Sequence, residues 1–207
     1  MLRGAANTRG DTLIEVLFAI TVFSLVVVTS LAIMNQGTQA ALRSLQLTLV
    51  RQQVDSQAEA LRFLNTSYIA AFSPGLTAAT ASGPAKVYAQ VLELADDTGA
   101  TEASPFGTNG MTTCPDAPPG SFILNTRRAT MGNTLLMRPA DTIAEVEYNP
   151  TTNAIVASRG LWIEPIRAAG DATTGYTDFH IRACWPAPGL GTPMNTGTIV
   201  RLYEPRG

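Results

Sequence analysis

The sequence predicts an α+β protein: one long N-terminal α-helix packed on a C-terminal globular unit built around an antiparallel β-sheet. Three observations carry this. Residues 12 to 34 are almost wholly apolar, residues 36 to 67 continue in helix-forming residues with one apolar stripe, and from residue 86 onward short alternating runs are separated by turn-forming stretches. At 207 residues the chain has room for one such helix and one domain of ordinary size.

The apolar segment comes first. No charged side chain lies between Glu15 and Arg43, and at about 1.5 Å per residue such a helix crosses a hydrocarbon core ~30 Å thick. The span is placed at about residues 12 to 34. Glu15 is its anomaly: a carboxylate in an apolar span costs about 2.5–3.5 kcal/mol at the membrane centre and less near the interface. Such a residue requires a compensating partner. A cleaved secretory signal would be shorter and end in small residues, whereas this run passes into Asn35-Gln36-Gly37-Thr38-Gln39. A plain signal anchor with an incidental acid is a further alternative.

The residues ahead of the span are more specific. Gly10 is followed by Asp11-Thr12-Leu13-Ile14-Glu15 and then the apolar helix. In order and spacing this resembles the N-terminal signal of type IV pilins and the related pseudopilins. The match covers about residues 10 to 35. The resemblance implies that a prepilin peptidase removes residues 1–10 by cutting between Gly10 and Asp11. The helix then stays in the mature protein and Glu15 becomes its fifth residue, acting in assembly. It further implies N-methylation of Asp11 by the same enzyme. Asp11 departs from the family, which usually has phenylalanine or another apolar residue there, and its carboxylate can shield its own ammonium.

The ten-residue head carries Arg3 and Arg9 and no acid. Positive charge before the span favours a cytoplasmic N-terminus and an exported C-terminal domain. Loss of the head takes the formal charge from −2 to −4, and Lys86 is the only lysine. A mildly acidic remainder argues against a basic surface for nucleic acid.

Beyond the span, Gln36 to Ser67 contains no proline and one glycine, Gly37. Leu47, Val50, Val54, Ala58 and Leu61 recur at three- and four-residue intervals, with Leu42, Leu45 and Leu49 alongside, as in an amphipathic helix facing a core. Arg51 with Asp55, and Glu59 with Arg62, have the spacing of surface ion pairs. One helix over residues 11–67 would be roughly 80 Å long, with the globular domain following over residues 68–207.

Ser73-Pro74-Gly75 ends the helical pattern and residues 74 to 84 read as a loop. Lys86 to Leu94 reads as a strand with Val87, Ala89 and Val91 on one face. Residues 95 to 120, with Asp96-Asp97 and the run Cys114 to Gly120, read as an irregular excursion. Further strands are expected at Ser121–Asn125, Thr134–Arg138, Thr142–Tyr148, Ala154–Ile163, Asp178–Trp185 and Thr198–Tyr203. Asn149 to Asn153 makes a hairpin of the third and fourth of these. In Asp178–Trp185, Phe179, Ile181, Ala183 and Trp185 share a face opposite Asp178, His180, Arg182 and Cys184, the alternation of a strand with one buried side. A long helix followed by an antiparallel sheet is also the fold that the resemblance implies.

Cys114 and Cys184 lie in the part placed outside the membrane, and an even pair in an oxidising compartment reads as a disulfide. Two buried thiols are the alternative. The resemblance favours the bridge, since pilins often close a C-terminal loop in this way. Two cysteines and one histidine cannot make a closed zinc site without carboxylates. No nucleophile elbow, Walker loop, dinucleotide fingerprint or zinc-protease motif is present, so neither an enzyme nor a cofactor is expected. His180 reads as an exposed or hydrogen-bonded strand residue, and Asp96-Asp97 and Arg127-Arg128 as solvated faces.

The expectation is a structural subunit of a type IV pilus-like filament, a minor pilin, held in the cytoplasmic membrane as a single-pass precursor and displayed at the cell surface after assembly. Its expected partners are the prepilin peptidase, other pilin subunits, the assembly machinery and the membrane. A pseudopilin of a type II secretion or DNA-uptake system shares this N-terminus. A monomeric signal-anchored binding domain is the competing class.

Overall fold

The computed structural model describes residues 11–107, 111–167 and 175–205. The expected leader, with Gly10, lies outside the described residues. The chain divides into two compact units, Met1–Ser44 and Leu45–Gly207. The second half of the first helix supplies part of the globular unit's core.

Helix α1 runs unbroken over Asp11–Ala71, four residues further than the expected end at 67, and stops just before Ser73-Pro74-Gly75. In the globular unit its buried residues are Val50, Val54, Gln57, Ala58, Leu61, Leu64, Asn65 and Tyr68. These recur every three or four residues and form a single stripe. Leu42, Leu45 and Leu49 are exposed, so the stripe is narrower than expected. Glu59 and Arg62 form the expected ion pair.

Residues 86–94 are helical, which corrects the expected strand. Helix α2 spans Gly83–Thr98 and buries Ala85, Tyr88, Ala89, Val91, Leu92 and Ala95. Apolar residues stand here at both two- and four-residue spacing, so local pattern alone is ambiguous. The boundaries decide it: Pro84 lies in the first turn, and Gly99 closes the end in the left-handed conformation with its N–H donating to the Ala95 carbonyl at 3.1 Å.

The strands form three small sheets rather than one. In the first, β1 (Ile123–Asn125) pairs with β2 (Thr130–Gly132). In the second, β5 (Ile155–Arg159) lies between β4 (Glu145–Tyr148) and the two-residue β3 (Met137–Arg138). The β4–β5 hairpin is the one expected, whereas β3–β5 is parallel. Most of the strand expected at Thr134–Arg138 is a 3-10 turn, Thr134–Leu136. The third sheet has the order β6 (Leu161–Arg167), β7 (Tyr176–Trp185), β8 (Met194–Tyr203), antiparallel throughout.

Gly160 explains why the strand expected over Ala154–Ile163 is two strands. Its φ is +60°, and an added Cβ would lie 2.2 Å from the Cys184 carbonyl oxygen. The chain turns there from one sheet into another. The core joins the α1 stripe, Tyr88 and Val91 of α2, Phe122 to Leu124, and the inner face of the third sheet. Phe179, Ile181, Ala183 and Trp185 are all fully buried, as the alternation predicted.

The opposite face of β7 was expected to be wet, yet Arg182 and Cys184 are buried too. The residues after α2 cover part of it. That cover is held by the Cys114–Cys184 disulfide, with Cα atoms 5.6 Å apart, and by Phe106, whose ring packs edge-on against Trp162 at 5.6 Å.

Candidate functional site

The first unit presents the strongest candidate. Within α1, every residue from Thr12 to Met34 is exposed, Phe18 and Ile33 by 69% each. Elsewhere in the chain side chains of this type make the core. The helix is long and apolar enough to cross a membrane. Three of its hydroxyls are satisfied internally: Thr21 donates to the Phe18 carbonyl at 2.7 Å, Ser24 to Ile20 at 2.8 Å and Thr29 to Leu25 at 2.9 Å. That local bonding lets polar residues sit in apolar surroundings at little cost.

Glu15 has no such arrangement. It is exposed on the helix and, among the described residues, forms no hydrogen bond or ion pair. Asp11 is the first helical residue, one turn before Glu15. Helical spacing puts Phe18, Ala19, Val22 and Val26 on the Glu15 side. An apolar surface of this kind, bearing one unpaired acid near its end, can enter a membrane or pack against other apolar helices. In either setting the carboxylate requires a cation or a proton.

The globular unit holds three charged clusters, of whose members the sequence pattern places only Asp96, Asp178 and Arg182, on solvated or outward faces. Glu164 and Arg182, both nearly buried, face each other across β6 and β7, with guanidinium nitrogen and carboxylate oxygen 3.1 Å apart. Ser104 completes the group. Its N–H and hydroxyl donate to Glu164 at 2.9 and 2.6 Å, and its carbonyl accepts from Arg182 at 2.7 Å. Arg182 also lies 5.0 Å above the centre of the Phe106 ring. These contacts fasten the covering segment to the sheet.

Asp178 and Arg201, paired in register between β7 and β8, form a bidentate ion pair with both bonds at 2.7 Å. The hydrogen bonds from Arg201 hold the Asp178 carboxyl below its ordinary range. Arg167 bridges Asp96 on α2 and Glu204 after β8, each at 2.7 Å. Asp96 is thus an ion-pair partner while remaining exposed, and Arg127, also exposed as expected, stacks on Tyr148 at 4.3 Å.

His180 lies half-buried between Asp178 and Arg182 on β7. Burial and the neighbouring Arg182 charge push its pKa below the ordinary value, so the ring is neutral at neutral pH. Among the described residues, no three His, Cys, Asp or Glu side chains are grouped to hold a metal ion.

No family model, curated protein or solved structure matches this chain.

Proposed function

We propose that this protein is a structural subunit, a minor one, of a type IV pilin-like filament, anchored in the membrane as a precursor and assembled through its N-terminal helix. The observation that carries the reading is the position of Glu15. Among the described residues it is an unpartnered carboxylate, one turn into a helix whose next two dozen or so residues are exposed and almost wholly apolar. The Gly10-Asp11 junction directly before it supports the same reading.

The proposed mechanism is packing rather than turnover. Cleavage after Gly10 creates an ammonium on Asp11, and Glu15 of one subunit receives the ammonium of its neighbour. Each charge is unfavourable alone in an apolar contact, and together they fix the axial position of one helix against the next. The globular unit, cross-linked by its disulfide, forms the outside of the fibre. Pseudopilins follow the same plan, and the domain's size and loop content favour a minor pilin.

Processing tests the reading. The intact mass of the membrane-extracted protein, produced beside a prepilin peptidase, is expected to correspond to residues 11–207. A mature N-terminus beyond residue 34 would remove the assembly helix and overturn the proposal.

A further inference from the structure

The third sheet has two edges, and the chain treats them differently. Along an antiparallel ladder, residues alternate between bonding inward to the partner and directing their backbone groups outward. Much of the β6 edge is occupied. Ile163 exchanges bonds with Phe122 at 2.9 and 2.8 Å, the Leu161 carbonyl accepts from the Ser158 hydroxyl, Pro165 has no N–H, and Arg167 N–H reaches Ala100 at 2.9 Å.

At the β8 edge the bond from Glu204 N–H to Gly175 fixes the alternation. Asn195, Gly197, Ile199, Arg201 and Tyr203 direct their backbone groups outward. The Tyr203 carbonyl accepts from Asn65 at 3.1 Å. Among the described residues, nothing bonds to the backbone groups of the other four. The usual guards of an exposed edge are also missing. Strand β8 has no proline and no lysine. Its one charge, Arg201, is tied back to Asp178.

A groove of about 370 Å³ lies beside this edge, lined by Phe106, Gly107, His180, Arg182, Gly197 and Ile199. Gly197 keeps its floor open and is required there, because a Cβ would sit 2.6 Å from the Ile181 carbonyl oxygen. Ile199, 60% exposed, forms an apolar rim.

We propose that the β8 edge is a strand-addition site for an extended, uncharged polypeptide segment of another protein, with the groove over Gly197 receiving one of its side chains. Only a polypeptide backbone supplies donors and acceptors at the spacing of four successive outward residues. Charge selects the kind of segment. Arg201 is matched by Asp178 and Arg182 by Glu164, so the edge offers no unbalanced charge to a charged partner.

A second copy on this edge is a separate outcome of the test. In the globular unit α1 follows the direction of β8, since Gln46 bonds Trp185, which lies opposite Met194, and Asn65 bonds Tyr203. Antiparallel pairing of two β8 strands would therefore set those two helix segments in opposition and would be read as a dimer.

The test uses the full chain in detergent micelles and a random octapeptide display library. Enriched peptides are labelled and titrated against the wild type and Ile199→Pro. This proline deletes one outward N–H and leaves the bonds to β7 in place, the position at which an edge strand tolerates proline. The expected result is enrichment of uncharged peptides rich in β-branched residues, at least tenfold weaker binding to Ile199→Pro with an unchanged circular dichroism spectrum, and slowed amide exchange at Gly197, Ile199 and Arg201 on peptide addition. If Ile199→Pro does not fold, Ile199→Lys, which restores a guard charge, is expected to show the same loss. No enrichment, equal binding by both variants, protection elsewhere, or a wild-type dimer abolished by Ile199→Pro would each overturn the proposal.

Discussion

Gln57 shows how much one polar residue can fix. It sits fully buried on the core stripe of α1, and its side-chain amide donates to the Leu124 carbonyl at 2.9 Å and accepts from the Leu124 N–H at 3.0 Å. Both backbone groups of a strand residue are thus satisfied by one helix side chain. Gln57→Leu would leave that N–H and C=O unpaired in the core, and a loss of about 2–4 kcal/mol is expected, read from denaturant unfolding of the micelle-held chain. His180 makes a prediction in pH. Its folded pKa is depressed by burial and by Arg182, so below the ordinary value of about 6.5 the unfolded chain takes up a proton that the folded chain resists. Stability should fall as pH drops from 7 toward 5, and His180→Asn should flatten that decline. Asp178, also depressed, acts lower. Its contribution is present above the ordinary carboxyl value of about 3.9 and is lost as pH falls through the folded value, so Asp178→Asn should alter the most acidic limb. By removing a charge that raises the His180 pKa, it should also steepen the decline between pH 7 and 5. Thermal midpoints measured across pH for the two variants check both windows.

At the scale of elements, the legible parts were those with one dominant period. The α1 stripe and the inner face of β7 follow from apolar spacing, and the β4–β5 hairpin from the turn residues Asn149 to Asn153 between its strands. Two elements were not legible, for different reasons. Helix α2 carries apolar residues that fit either period, and only Pro84 and Gly99 at its ends reveal the helix. The double burial of β7 depends on a segment distant in sequence. Nothing within residues 176–185 indicates that residues 104–106 cover Arg182; the even cysteine count anticipated the Cys114–Cys184 bridge but not the cover that it holds. The disulfide closes a sequence separation of 70 residues, which in the chain-entropy model stabilises the fold by roughly 4 kcal/mol. Cys114→Ser is therefore expected to lower the thermal midpoint markedly. Faster amide exchange should appear first in the covering residues 100–107, since Ser104 and Phe106 would hold the cover without the bridge. Uniform exchange across the domain would show that the cross-link does not act on that cover.

At the scale of the whole molecule, the sequence made the class of the chain legible: a long helix with an apolar first half, then an α+β unit rich in antiparallel strands. It left the division of the sheet and the packing of Ser104 and Phe106 over Arg182 illegible, because both depend on contacts between distant residues. The central claim concerns Glu15, whose carboxylate stands in the apolar half of α1 without a partner among the described residues. In a solitary anchor, Glu15→Ala removes an unfavourable charge and leaves membrane levels equal or higher. In a filament it strands the neighbour's Asp11 ammonium, and breaking a buried pair from one side costs about 3–5 kcal/mol, on the order of a hundredfold to a few thousandfold in an association constant. The direct measurement is to express wild-type and Glu15→Ala protein with the assembly machinery, shear the cells, and blot the sheared and membrane fractions. The account predicts wild-type subunits in the sheared fraction, with Glu15→Ala protein cleaved normally, retained in the membrane and missing from the sheared material. Recovery of Glu15→Ala protein in filaments at wild-type yield, or failure of the wild type to leave the membrane, would contradict it.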